Sequence, residues 1–119
     1  MKLPSINVDE NGHSYFGEVE SAEKDGRERN MDIASWQVWQ TQPGHFADFK
    51  PMDAPTCIAM MSGKIEITVS SGEKRWFSRG DTIVLQDTTG KGHALRTVGA
   101  EPCTAMLITM KGPMSEMPA

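Results

Sequence analysis

Between Met31 and Met110 the chain is a succession of eight short segments of extended character: MDIASWQVWQT, HFADFK, TCIAMM, KIEITVS, KRWFS, TIVLQ, HALRTV and CTAMLITM. Turn residues separate nearly all of them, and no stretch sustains the periodicity of an amphipathic helix. Short strands at this spacing specify an all-β antiparallel sandwich or barrel. The alternation is clearest in KIEITVS, where Ile65, Ile67 and Val69 point one way and Lys64, Glu66, Thr68 and Ser70 the other, giving one buried and one wet face. Gly63 and Gly72 stand where tight connections need positive φ. Three consecutive antiparallel strands, a meander, are therefore expected from Thr56 to Ser78.

A chain of 119 residues makes one domain, and it buries about two-thirds of its unfolded surface without help from a disulfide or structural metal. Cys57 and Cys103, in CIAMM and CTAMLITM, are read accordingly as buried free thiols. The net charge of −4 leaves no basic face of the size that neutralises several phosphates, which argues against nucleic acid as a partner. The opening MKLPSINVDENG has no apolar core of signal-peptide length, and no apolar run approaches the roughly 20 residues that span a bilayer. A cytoplasmic protein with no membrane partner is expected. Residues 1–30 form an N-terminal extension in which Tyr15, Phe16 and Val19 dock a short strand and SAEKDGRERN is an exposed loop. Residues 31–110 form the barrel, and KGPMSEMPA, residues 111–119, is a frayed tail with too little apolar surface to offset its ordering entropy.

The stretch GDTIVLQDTTGKGH, from Gly80 to His93, reads as a strand followed by a glycine-rich turn that delivers one histidine to a site. Strand alternation puts His93 on the same face as Leu95, toward the interior, with Ala94 and Arg96 opposite. An imidazole there would serve as general acid or base on a small ligand, or be held structurally by a backbone or threonine partner; both readings stay open. One histidine is too few for stable transition-metal binding. His45 follows Pro43-Gly44, and if its loop folds inward His45, Asp48 and His93 make a two-histidine, one-carboxylate set of the kind used for non-haem iron; otherwise His45 is a solvated turn residue. Gly90-Lys91-Gly92 follows a strand without the spacing or helix of a phosphate loop and is not read as one.

Together, the strand series, MSGKIEI after a turn, GDTIVL and the histidine closing the next turn resemble a small single-domain cupin over about Trp36 to Met110. The resemblance implies an eight-stranded jelly roll, a homodimer, and a metal held by two histidines and a glutamate of a first motif with one histidine of a second. Gly80, Asp81 and His93 match the second motif. Counting back from Gly63, the family's glutamate falls on Thr56 and its histidines near Lys50 and Met52, so the first motif is stripped. DTTGKGH is also two residues longer than the usual turn, with Gln86 at its proline position. EDTTGKGH-like turns with a DWHPAP-like segment mark a subgroup of such cupins, and DFKPMDAP looks like a version with lysine in place of the histidine.

If Lys50 occupies the vacated ligand position, it puts an ammonium where the family holds a metal, with charge pairing or Schiff-base formation as its chemistry; the alternative is snorkelling to the barrel mouth. In the family's register Trp36, Met52, Ile58 and Met60 line the interior with Thr56, either as a ligand-binding wall or as ordinary core, while Trp39 falls on the opposite side under a partner subunit or the N-terminal segment. The cofactor expectation is none, or one divalent ion (Zn, Fe, Mn or Ni). Three functions follow: a small-molecule-binding cupin with a sensor or carrier role; a small isomerase, dehydratase or lyase using His93 for proton transfer, supported by Lys50, Asp48 or Gln86; or a metal-dependent oxygenase with unconventional ligands.

Overall fold

The computed structural model describes residues 2–20, 23–24, 27–28 and 33–114. The eight expected segments are all strands: β5 (Ile33–Thr41), β6 (Phe46–Lys50), β7 (Thr56–Ser62), β8 (Lys64–Thr68), β9 (Lys74–Ser78), β10 (Thr82–Leu85), β11 (His93–Val98) and β12 (Cys103–Met110). Four more precede them: β1 (Lys2–Val8), β2 (Ser14–Glu20), β3 (Glu23–Lys24) and β4 (Arg27–Glu28). A six-stranded sheet in the order β2-β1-β10-β7-β12-β5 faces a four-stranded sheet in the order β6-β11-β8-β9. The strand pattern's antiparallel all-β sandwich is thus observed, in the jelly-roll form that the resemblance implies. No helix among the described residues is long and apolar enough to cross a membrane.

The meander is corrected in one respect. β8 and β9 pair in register from Lys64↔Ser78 to Thr68↔Lys74, but β7 pairs with β10 and β12 in the other sheet. Gly63 turns the corner between the sheets: its φ is +76°, and a Cβ there would stand 2.5 Å from the carbonyl oxygen of Pro102. Only glycine fits so sharp a change of sheet.

The core follows the alternation. Ile65, Ile67 and Val69 are fully buried between the sheets, together with Ile58, Met60, Ile83 and Leu85 from the opposite layer. A second cluster forms on the outer face of the six-stranded sheet, where Cys57, Val84 and Val19 are sealed by Met110 and Met114. Both cysteines are free and buried. Met114 is 2% exposed and its N–H donates to Gln86 Oε1 at 2.6 Å, so residues 111–114 pack on the barrel instead of fraying with the tail; residues 115–119 lie outside the described set.

The N-terminal extension is a full hairpin. β1 and β2 pair from Lys2↔Glu20 to Val8↔Ser14, and β1 runs parallel to β10. The Asp9 carboxylate caps its turn by accepting from the N–H groups of Asn11 and His13, and the latter bond above all holds its pKa below the usual value. Of the stretch expected as an exposed loop, the described parts are the two-residue β3–β4 ladder; the rest lies outside the described residues.

Candidate functional site

The interior face of β10 carries Ile83 and Leu85, and the same two-residue step places Asp87 inward just beyond the strand. Asp87 is completely buried. The chain then turns through Gly90 and Gly92, both at positive φ, and re-enters the barrel as β11 with His93. Gly92 is pressed against the Lys50–Pro51 peptide, leaving no room for a side chain. Ser14 Oγ donates to the Gly92 carbonyl at 2.7 Å, and Lys91 N–H donates to the Gly12 carbonyl at 2.9 Å. The N-terminal hairpin thus buttresses the loop that aims His93.

His93 is buried with its Nδ1 at 2.6 Å from Asp87 Oδ2. An ionised carboxylate only accepts, so Nδ1 carries the proton and donates, which leaves Nε2 as the free basic edge of the neutral ring. Oδ1 of Asp87 has no partner among the described residues. The Asp87 carbonyl accepts from Met52 N–H at 2.9 Å, tying the segment after β6 to the same turn. The imidazole opens onto a cleft of about 240 Å³ lined by Ala47, Asp48, Lys50, Pro51, Met52, Asp53, His93 and Leu95. Lys50 stands directly across the β6–β11 pair from His93, at a register shift between His93 and Leu95, and makes no ion pair among the described residues. Asp48 is exposed at the rim, with Oδ1 accepting from Phe49 N–H at 2.8 Å.

Of the residues singled out from the sequence, the structure gathers His93, Lys50, Asp48, Met52 and Leu95 around one cleft. The others fall elsewhere. Thr56 is buried with its hydroxyl donating to the Ala54 carbonyl, and Ile58 and Met60 fill the core between the sheets; none of the three lines the cleft. Gln86 points to the opposite face of its strand and holds Met114. The two tryptophans of β5 are exchanged relative to expectation: Trp36 is 60% exposed beside Val38 on the outer face, and Trp39 packs against the core. The strand alternates as read, but its inward register is that of Gln37, Trp39 and Thr41.

The triad of His45, Asp48 and His93 is not assembled. The His45 carbonyl accepts from Thr97 N–H, four residues along β11 from His93, so the two histidines are separated by roughly 13 Å of strand. No cluster of three or more histidine, cysteine or acidic side chains suited to a metal occurs among the described residues. The cleft carries one imidazole and the carboxylates of Asp48 and Asp53, which do not converge with it into a ligand cluster, and Lys50 stands opposite the imidazole. This donor set does not fit the divalent ion that the family implies.

Asp87 is the candidate site residue that the sequence pattern, read as strand and turn, does not single out. The signal was present in the alternation Ile83, Leu85, Asp87, which sends a carboxylate to the face that His93 enters six residues later.

Comparison with known proteins agrees with the architecture. A family model described as the EutQ-like cupin domain matches residues 28–101. No curated protein matches. Among solved structures, a conserved protein of unknown function from Streptococcus pyogenes is 24% identical, with a TM-score of 0.55 over 73% of this chain and 71% of that one. The polyketide cyclase RemF from Streptomyces resistomycificus is 15% identical, with a TM-score of 0.56 over 74% of this chain and 58% of the other. The DMSP lyase DddQ from Ruegeria pomeroyi is 21% identical, with a TM-score of 0.55 over 73% of this chain and 43% of the other. At these identities the likeness is one of fold.

Proposed function

This chain belongs to the EutQ-like cupin family, and we propose that it is a small enzyme that moves a proton on a small organic substrate: an isomerase, dehydratase or lyase whose base is His93. The observation that carries this reading is the buried 2.6 Å contact between His93 Nδ1 and Asp87 Oδ2 at the wall of an open cleft. It supports the proton-transfer reading over a sensor or carrier, since recognition alone does not call for a charged group buried solely to orient an imidazole. Among the described residues no three metal-suited side chains cluster, so the reading is built on His93 and Asp87 alone.

In this account Asp87 fixes the imidazole with Nε2 toward the cleft and stabilises the imidazolium formed when Nε2 accepts a proton from the substrate. Asp87 remains the acceptor throughout. The ammonium of Lys50 offsets negative charge developing on a substrate oxygen. His93 then returns the proton to another atom of the same molecule, or to a leaving group. A buried base acting in this way contributes about 10²–10⁴-fold to rate. A small carbonyl or carboxylate compound with an acidic C–H is the substrate class that fits a base and a single cation in about 240 Å³.

The test is deuterium incorporation from D2O into a panel of small 2-oxo, 3-oxo and 3-hydroxy acids, followed by proton NMR. Wild-type protein is expected to exchange at least one member, and His93→Ala to abolish the exchange without loss of fold. Thermal stabilisation by a panel member that is never exchanged, unchanged in His93→Ala, would sink the enzyme reading and return the cleft to a binding role.

A further inference from the structure

The β6–β11 pair is interrupted where the cleft opens. His93 and Leu95, two residues apart on β11, stand opposite Lys50 and Ala47, three apart on β6, so β6 carries one extra residue between them, a β-bulge. Strict alternation sends residues three apart to opposite faces of a strand. The bulge instead turns Ala47 and Lys50 to the same face as their partners Leu95 and His93. Asp48 lines the cleft with them, while Phe49 lies in the groove of the outer face with Phe46 and Arg96. Pro51 has no N–H to continue the ladder, and Met52 N–H donates to the Asp87 carbonyl at 2.9 Å, which presents Asp53 at the same cleft. One irregularity and the residues after it thus bring two carboxylates and an ammonium to the cleft of the imidazole. These charges do not neutralise one another: among the described residues neither aspartate forms an ion pair with Lys50, and Asp48 Oδ2 has no partner.

We infer that the cleft selects a small amino acid, a molecule whose carboxylate meets Lys50 and whose ammonium meets Asp48 and Asp53. This rests on the assignment of the cleft to substrate, and it narrows the carboxylate compounds proposed above to those that also carry an N–H cation. A simple carboxylic acid brings a third carboxylate beside the two aspartates, and a simple amine brings a second ammonium beside Lys50. Only a zwitterion answers both signs, so each half-molecule is rejected by repulsion as well as by a missing attraction. The cation is one that donates hydrogen bonds. No phenylalanine, tyrosine or tryptophan lines the cleft among the described residues, so the aromatic faces that receive a quaternary ammonium or other onium centre are missing, whereas carboxylate oxygens suit an ammonium with its three donors. A volume of about 240 Å³ lies below the roughly 300–1,000 Å³ of clefts that take drug-sized ligands, which limits the molecule to a few carbons between its charged ends. Asp48, Lys50 and Asp53 are exposed, so each contact is screened and the complex is weak.

Chemical-shift titration of the 15N-labelled full chain tests it, with alanine and 3-aminopropionate set against propionate and ethylamine, the deaminated and decarboxylated halves of both. The amides of residues 47–53 and of His93 report. At least one of the two amino acids is expected to shift them and to bind at least tenfold more tightly than either half-molecule, an advantage that its N,N,N-trimethyl derivative loses. Asp48→Asn and Asp53→Asn are each expected to weaken the amino acid roughly fivefold while binding propionate no less tightly than wild type does. Lys50→Met is expected to weaken the amino acid and propionate but not ethylamine. Should a variant fail to fold, the ligand series on wild-type protein decides alone. Propionate or ethylamine binding as tightly as the amino acids, a trimethyl derivative equal to its parent, or no shift at the cleft with either amino acid would each overturn the inference. Deuterium exchange read on the same samples keeps the two proposals apart. An amino acid bound with this selectivity and never exchanged upholds the recognition and removes the catalysis, whereas exchange of a 2-oxo acid with no preference for an ammonium group overturns the recognition and leaves His93 as a base.

Discussion

His93 and Asp87 make the one imidazole–carboxylate contact found among the described residues, Nδ1 to Oδ2 at 2.6 Å, and the carboxylate is fully out of solvent. Five residues, two of them glycines at positive φ, separate them, so the turn that joins β10 to β11 exists in a form that brings these two side chains together. A buried carboxylate is costly unless it is paired, and this pairing also decides which ring nitrogen faces the cleft.

Removing the carboxylate and altering it have different expected outcomes. Asp87→Ala leaves His93 without its partner in a buried site and lowers stability by about 3 kcal/mol. Asp87→Asn keeps the shape and costs less, but its amide accommodates either tautomer and loses the negative charge opposite the imidazolium. Urea denaturation should rank Ala below Asn in midpoint, and any exchange activity should fall roughly 10²-fold or more in Asn.

Gly92→Ala tests the seating of the loop on β6. The position has φ +71°, and an added Cβ would collide with the Lys50 carbonyl carbon and oxygen. Backbone atoms cannot swing aside as a flexible side chain can, so the loss exceeds the roughly 1 kcal/mol of an unhindered left-handed alanine. A fall in melting temperature greater than that of Gly44→Ala, where nothing stands near the added Cβ, is the expected result.

Lys50→Met is expected to separate binding chemistry from fold. The lysine is exposed and has no ion pair among the described residues, so its melting temperature should stay within roughly 2 °C of wild type. Affinity for carboxylate ligands in a calorimetric titration should fall about tenfold, the effect of losing one partly solvated cation.

Burial pushes both cysteine thiols above their ordinary pKa, with the Thr41 hydroxyl partly opposing the effect at Cys103. Thiolate is the reactive form, so alkylation by iodoacetamide at pH 8 should be slow for folded protein and complete in urea. Rapid labelling of either residue in the native state would contradict the packing described.

Met114→Ala is expected to cost about 2–3 kcal/mol, as for a methionine removed from an enclosed cluster. Gln86→Ala should cost about 1 kcal/mol by releasing the Met114 N–H. Both are read by denaturation midpoints.

The strands were legible because a half-buried strand must alternate, and the turns because positive φ selects glycine. Pairing partners were less so: β7 and β8 are adjacent in sequence and read as a hairpin, yet the corner at Gly63 sends them to different sheets, a tertiary choice that local pattern does not encode. Trp36 and Trp39 exchange faces because the family's register set which side of β5 points inward; the strand's own alternation separates the two tryptophans but, at a sheet edge with apolar residues on both faces, does not say which is buried. His93, Lys50 and Met52 were placed near one another through a family register, whereas Asp87 needed only the period of β10 carried two residues past its end. Met114 was hidden because three residues of turn separate it from β12, and the acceptor that anchors it, Gln86, is remote in sequence.

The measurement that bears most directly on the account is long-range proton–nitrogen NMR of His93 in 15N-labelled protein, taken where the imidazole is neutral and repeated with Asp87→Asn. One tautomer, protonated at Nδ1 and bare at Nε2, is expected in wild type, and a mixture in the variant. A wild-type ring protonated at Nε2, or a mixture that Asp87→Asn leaves unchanged, would mean that Asp87 does not orient His93 and that the cleft does not hold a prepared base.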